Sequence, residues 1–111
     1  MNLFGRRKKE TGQRTTHHLG GCIVTKSLLE GTSRLRWLFR EDSCNPADNG
    51  WRAIGDEYLD DVRNSVVVDF DRLVEIEPAV LAVYDLPVGT DLEFDGENRV
   101  FRDSETGEVT R

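Results

Sequence analysis

The chain has 111 residues and a formal net charge of −6, enough for one small domain with a single core. No run approaches the roughly 18 apolar residues that a membrane span needs, two cysteines are too few for a disulfide framework, and no clustered Cys or His pairs mark a zinc site. The charge is divided: residues 1–18 carry five basic groups against one acidic, a balance of +4, and residues 19–111 carry ten against twenty, a balance of −10.

Residues 1–18 have few apolar groups and no periodicity, and read as a mobile basic tail. Leu3 and Phe4 beside Arg6, Arg7, Lys8 and Lys9 could touch an anionic membrane, but two apolar side chains make a poor anchor. The other reading is a solvated tail lying partly on the acidic body. The basic opening has no apolar stretch behind it and position 2 is Asn, so neither a secretory signal nor myristoylation is expected. The expectation is a cytoplasmic protein with Cys22 and Cys44 as free thiols.

Order is expected to start at Gly20 and Gly21. The β-branched run CIVTK, Cys22 to Lys26, predicts a strand, and SLLEG predicts a turn with Gly31 free to take positive φ. RLRWLFR predicts a second strand, with Leu35, Trp37 and Phe39 facing a core and Arg34, Arg36 and Arg40 facing water or a partner. Asp42 to Gly50 is rich in turn formers, and WRAI returns beyond it as the second arm of a hairpin that ends at Gly55. DEYLDDVRN predicts a turn or two of helix, with acidic groups near its start.

SVVVDF predicts a strand with Val66, Val68 and Phe70 on one face, and DRLVEI either extends it or forms a helical turn. Pro78 suits the first position of a helix in which Val80, Leu81 and Tyr84 keep helical spacing, and Pro87 stops it. LEFDGENRVFR predicts a hairpin with Asp95 and Gly96 in its turn. The expected class is α+β: a small, mainly antiparallel sheet with one or two short helices packed on one face, spanning residues 19–103. Residues 104–111 read as a polar C-terminal tail that frays.

No phosphate loop, dinucleotide fingerprint or nucleophile elbow is present. His17 and His18 fall in the basic tail, where a catalytic group would not be held in place. A general base would have to be a carboxylate, and Asp56, Glu57, Asp60 and Asp61 are the candidates. Acidic side chains are so frequent here that a solvated surface accounts for them without catalysis. The acidic balance of residues 19–111 repels a phosphate backbone, so no direct nucleic-acid binding is expected despite Arg34, Arg36, Arg40 and Arg52. Recognition of a basic protein is what remains. Acidic groups concentrate at Asp56 to Asp61, Asp69 to Glu77 and Asp91 to Glu97, and such a field speeds encounter with a cationic partner.

Four blocks, GGCIVTKSLLEG, RWLFRE, DNGWRAIGDE and EIEPAVLAVYDLPVGTDLEF, together resemble the immunity protein 33-like family of small bacterial domains. The resemblance runs from about Leu19 to Phe94 and is most specific in NGWRAIGDE. It implies a protein that binds a cognate toxin and protects the producing cell, by affinity and not chemistry. It brings no catalytic residue and no cofactor. A basic nuclease is a toxin that an acidic domain would fit. The candidate partner-binding residues are Asp48, Trp51, Asp56, Glu57, Asp60 and Asp61. Trp51 has two readings: a core residue packed near Trp37, or a half-exposed group at a loop edge rimmed by Asp56 and Glu57. A buried Trp51 could also shape the loop that presents Asp48, Asp56 and Glu57. The alternative function is a cytosolic adaptor or regulatory domain with no toxin partner.

Overall fold

The computed structural model describes residues 19–110, in which seven strands form one sheet. β1 (Gly21–Thr25) leads through a short helix, α1 (Lys26–Glu30), to β2 (Leu35–Arg40) and β3 (Asp48–Gly55). A 3-10 turn at Val62–Asn64 precedes β4 (Ser65–Asp69) and a second helix, α2 (Phe70–Ile76). A 3-10 segment, Pro78–Val83, then leads to β5 (Asp91–Asp95), β6 (Val100–Asp103) and β7 (Val109–Thr110). The spatial order is β4-β1-β3-β2-β5-β6-β7, and every neighbouring pair is antiparallel except β1 with β3. A mostly antiparallel sheet with a few short helices fits the expected α+β class. The reading of residues 1–18 as a mobile basic tail lies outside the described residues.

Several local expectations are met with altered detail. SLLEG does turn, but as α1, closed by Gly31 at φ 80° with the amides of Gly31 and Thr32 bonded back to the carbonyls of Leu28 and Ser27. DRLVEI takes the helical option as α2, with Phe70 and Leu73 buried. The Pro78 segment winds as a 3-10 helix, not an α-helix. At three residues per turn Val80 and Val83 share the buried side, and Leu81, expected inside, is exposed. The acidic segment after Gly55 forms a turn and the short Val62–Asn64 3-10 helix. The polar end does not fray from Ser104: Asp103 accepts the amides of Glu105 and Thr106, and Val109 and Thr110 return to pair with β6.

The largest departure is in β2. Leu35 pairs with Gly55 and Trp37 with Ile54, so β2 carries an extra residue at this point. Such a bulge resets the alternation of faces. Leu35 and Leu38 therefore both enter the core, and Trp37 is moved to the other face with 38% of its surface exposed. Arg36 stacks over the Trp37 ring at 4.5 Å. Arg40, expected to face water or a partner, lies instead on the core side, 5.5 Å above the Trp51 ring, and donates to the carbonyls of Asn49 and Leu86 at 2.8 Å.

The core joins Cys22 and Val24 of β1, Leu28 of α1, Leu38 of β2, Trp51 and Ala53 of β3, Leu92 of β5 and Phe101 of β6 with Phe70, Leu73, Val80 and Val83. Trp51 lies at its centre with 0% exposure. Its indole N–H donates to the Tyr84 carbonyl at 3.1 Å, and the Tyr84 hydroxyl donates to the Leu19 carbonyl at 2.7 Å. The Tyr84 ring meets Phe70 edge-on at 4.9 Å. Two side chains in series thus tie β3 to the end of the 3-10 segment, and that end to the entry of β1.

Gly50 permits this arrangement. Its φ is 89°, and a Cβ there would run into the Glu41 carbonyl, whose own amide bonds to the Gly50 carbonyl at 2.9 Å. We expect Gly50→Ala to lose about 2 kcal/mol or more in urea unfolding, since left-handed backbone and overpacking each cost about 1–2 kcal/mol. Cys22 is buried, and burial pushes its thiol up to about 12, whereas Cys44 is exposed. A thiolate-selective reagent at pH 8 should label one cysteine in the native protein and both in urea; rapid native labelling of Cys22 would contradict this packing.

Candidate functional site

The predicted site residues divide into two groups at opposite ends of β3. Asp48 begins the strand, whereas Asp56 follows its last residue. Seven steps at ~3.3 Å separate Asp48 from Gly55, roughly 23 Å. Asp48 is consumed by structure: it holds the Arg52 guanidinium through both oxygens, at 2.9 and 2.8 Å, and accepts the Gly50 amide. The Arg52 hydrogen bonds hold the Asp48 carboxyl well below the usual carboxylate range. Arg52 is itself buried, and Glu41 takes its Nε at 2.7 Å. The ion pair supplies partners for a guanidinium that would otherwise be buried alone. Asp48 is therefore remote from the acidic loop that it was expected to join.

Trp51 resolves in favour of the core. Complete burial removes the half-exposed reading, and its expected neighbour is also different. Directly paired residues of antiparallel strands share a face, so Trp37 lies with Ile54 on one side of the sheet, and Trp51 with Ala53 on the other. The ring meets Arg40 and Tyr84 instead.

Asp56, Glu57, Asp60 and Asp61 do come together, on one loop between β3 and β4. Gly55 makes the loop possible, because a Cβ at that position would meet Ser33 Oγ and Asp60 Oδ2. Its amide donates to buried Thr25 Oγ1 at 3.1 Å. Asp56 and Arg34 lock reciprocally: the Asp56 amide donates to the Arg34 carbonyl at 2.9 Å, and the Arg34 amide to Asp56 Oδ1 at 3.0 Å. Asp60 accepts from the Ser27 hydroxyl and the Glu57 amide, and Ser27 also contacts Ser33 at 2.6 Å. Asp61 accepts the Arg63 amide at 2.8 Å and pairs with its guanidinium, which lowers the Asp61 pKa. Glu57 receives the Thr32 hydroxyl at 3.1 Å. Four of the loop's carboxylates thus act first as local acceptors for amides and hydroxyls that the turn leaves open.

Three apolar side chains on the same loop were not singled out in the sequence. Tyr58 is 96% exposed, Leu59 66% and Val62 54%. The signal was present as apolar residues set among acids in a stretch with no period to bury them. Gly55 at the close of β3 hid it, because the stretch beyond read simply as helix or turn.

The loop's four carboxylates do not converge on one cavity: Asp56 borders an open recess of about 430 Å³ with Glu93, Asp95 and Glu97, and Asp61 borders another, of about 520 Å³, with Tyr58, Leu59 and Arg63. A recess of about 870 Å³ away from the loop is lined by Leu19, Val67, Val68, Asp69, Arg72 and Tyr84 among others, and Asp69 is its single carboxylate among the described residues. Among those residues no three His, Cys, Asp or Glu side chains group as a metal site, and no helix is long and apolar enough to cross a membrane. The loop's stiffness is open to test. Asp60→Asn should cost about 1 kcal/mol, through its weakened hydroxyl and amide bonds, and speed hydrogen exchange across residues 56–61. Unchanged exchange would show that Asp60 does not hold the loop.

The family comparison places this geometry in context. The Immunity protein Imm33 domain model matches residues 22–105, which takes in the sheet from β1 to β6 and the acidic loop. Comparison with curated proteins gave no match, and comparison with solved structures gave none. With a match across most of its length, and with six of the seven strands, Trp51 and the Gly55 loop inside it, the chain belongs to the Imm33 immunity protein domain family.

Proposed function

We propose that this domain neutralises a cognate toxin in the cytoplasm by binding it directly, without catalysing a reaction. The observation that carries the reading is the Imm33 match over residues 22–105, with the acidic loop inside it. The contact surface is the loop bearing Asp56, Glu57, Asp60 and Asp61. Trp51 serves it from beneath by fixing β3, and Asp48 serves it only by stabilising Arg52 in the same strand. The toxin that fits is basic at its contact surface, as a nuclease groove is, and the domain obstructs that groove.

Electrostatics supports this choice of partner. Residues 19–111 carry ten more acidic than basic groups. A field of that sign raises the encounter rate with a cationic surface by roughly 10- to 1,000-fold at low salt. Asp56 and Glu57 are exposed, Asp60 and Asp61 are half-buried, and the four do not converge on one recess, which suits surface recognition better than general acid–base work.

The test is co-expression with the toxin domain encoded beside this gene, with growth rescue and co-purification as readouts. Wild type should rescue. Asp56→Lys with Glu57→Lys should weaken binding about 10-fold, mainly by slower association, and flatten its salt dependence. Asp56 also receives the Arg34 amide, so the melting temperature of the double variant is measured alongside. Full affinity in a folded double variant would remove this loop from the interface.

A further inference from the structure

We infer that Tyr58, Leu59 and Val62, and not the surrounding carboxylates, anchor the partner: the loop presents an apolar knob that seats in an apolar pocket framed by basic residues. This rests on the immunity reading and specifies the chemistry of its contact. Single exposed apolar side chains are ordinary on any protein. Here three occur within five residues on one loop, and each is more than half exposed.

The loop is also built to keep them outside. Its polar groups are used inward: the Asp60 amide bonds to the Glu57 carbonyl at 2.9 Å, the Asn64 amide to the Asp61 carbonyl at 3.0 Å, and Ser65 Oγ to the Asp61 carbonyl at 2.9 Å. Asn64 Nδ2 donates to the Leu59 carbonyl at 2.6 Å. With Asp56 clasped to Arg34 and Asp60 to Ser27, the backbone is fixed at both ends and in the middle. A preformed loop loses little conformational freedom on binding, so burial of its apolar groups is not offset by ordering.

Charge selects the occupant. Asp56, Glu57, Asp60 and Asp61 alternate in sequence with the knob's residues, against one basic group, Arg63, so the loop that carries the knob is acidic. An apolar pocket with acidic walls would be repelled, one with neutral walls would gain nothing from the charge, and a second copy of this loop would bring two acidic loops together. A pocket rimmed by Lys or Arg satisfies both parts of the surface. The division of labour follows general interface physics: buried aromatic and apolar anchors govern how slowly a complex parts, and rim charges govern how quickly it forms.

Binding kinetics with the toxin domain of the adjacent gene separate the two roles. Tyr58→Ala with Leu59→Ala should weaken binding at least 30-fold, almost wholly through faster dissociation, with the melting temperature unchanged because neither side chain is in the core. Asp56→Lys with Glu57→Lys should act mainly on association. Leu81→Ala, a change at another exposed apolar residue on the Pro78–Val83 segment, should leave both rates alone. Wild-type affinity in the Tyr58/Leu59 variant would overturn the inference while the immunity reading stands. An equal loss from Leu81→Ala would also overturn it. So would a wild-type dimer in sedimentation that the Tyr58/Leu59 variant converts to monomer, since the knob would then be a self-contact. Failure of wild type to bind or rescue would overturn the immunity reading, and the anchor assignment with it.

Discussion

The structure depends on one strand being wholly inside. From Gly50 to Gly55 every residue of β3 is buried. A central strand can be sealed in this way only if each residue's special demand is met. Trp51 needs a partner for its N–H and finds the Tyr84 carbonyl; Arg52 needs counter-charges and finds Asp48 and Glu41. The two glycines at its ends are required because backbone or side-chain oxygens occupy the space where a Cβ would go. The motif whose tryptophan the sequence left open between core and loop edge is therefore part of the interior.

That burial explains the acidic loop. Where β3 ends, the chain must leave the core sharply, and Gly55 lets it pass against Ser33 and Asp60. The turn that follows meets amides and hydroxyls from α1 and the segment that joins it to β2, and carboxylates are suited to accept them. Asp56, Asp60 and Asp61 fill that role before they contribute to any long-range field. Charge near a surface is screened over about 8 Å at physiological salt. A contact that relied on these groups alone would be fast to form and weak. Apolar side chains on the same frame change that balance.

The two ends of the sheet illustrate different ways to finish an edge. β7 is two residues long and closes a hairpin whose turn is organised by Asp103. β4 is longer, and Val67 projects from it to solvent. Short edges discourage unplanned pairing. The central strands β1, β3, β2 and β5 lie between these ends and share the core.

Sequence alone was sufficient for much of this. The strands of β1, β4 and the β5–β6 hairpin follow from β-branched runs and turn residues, which are local properties. The acidic loop as a contiguous group, Gly31 as a turn residue and the family resemblance were legible for the same reason. Three features were decided only by tertiary structure. The β2 bulge exchanged Leu38 for Trp37 in the core, because pairing against Gly55 and Ile54 sets the register, and no pattern within β2 encodes its partner. Asp48 and Asp56 lie at opposite ends of one strand although they are eight positions apart, since extended chain converts sequence separation into distance. The loop's apolar residues stay outside because Asp60 reaches back to Ser27, thirty-three positions earlier, a contact that exists only once the sheet has formed.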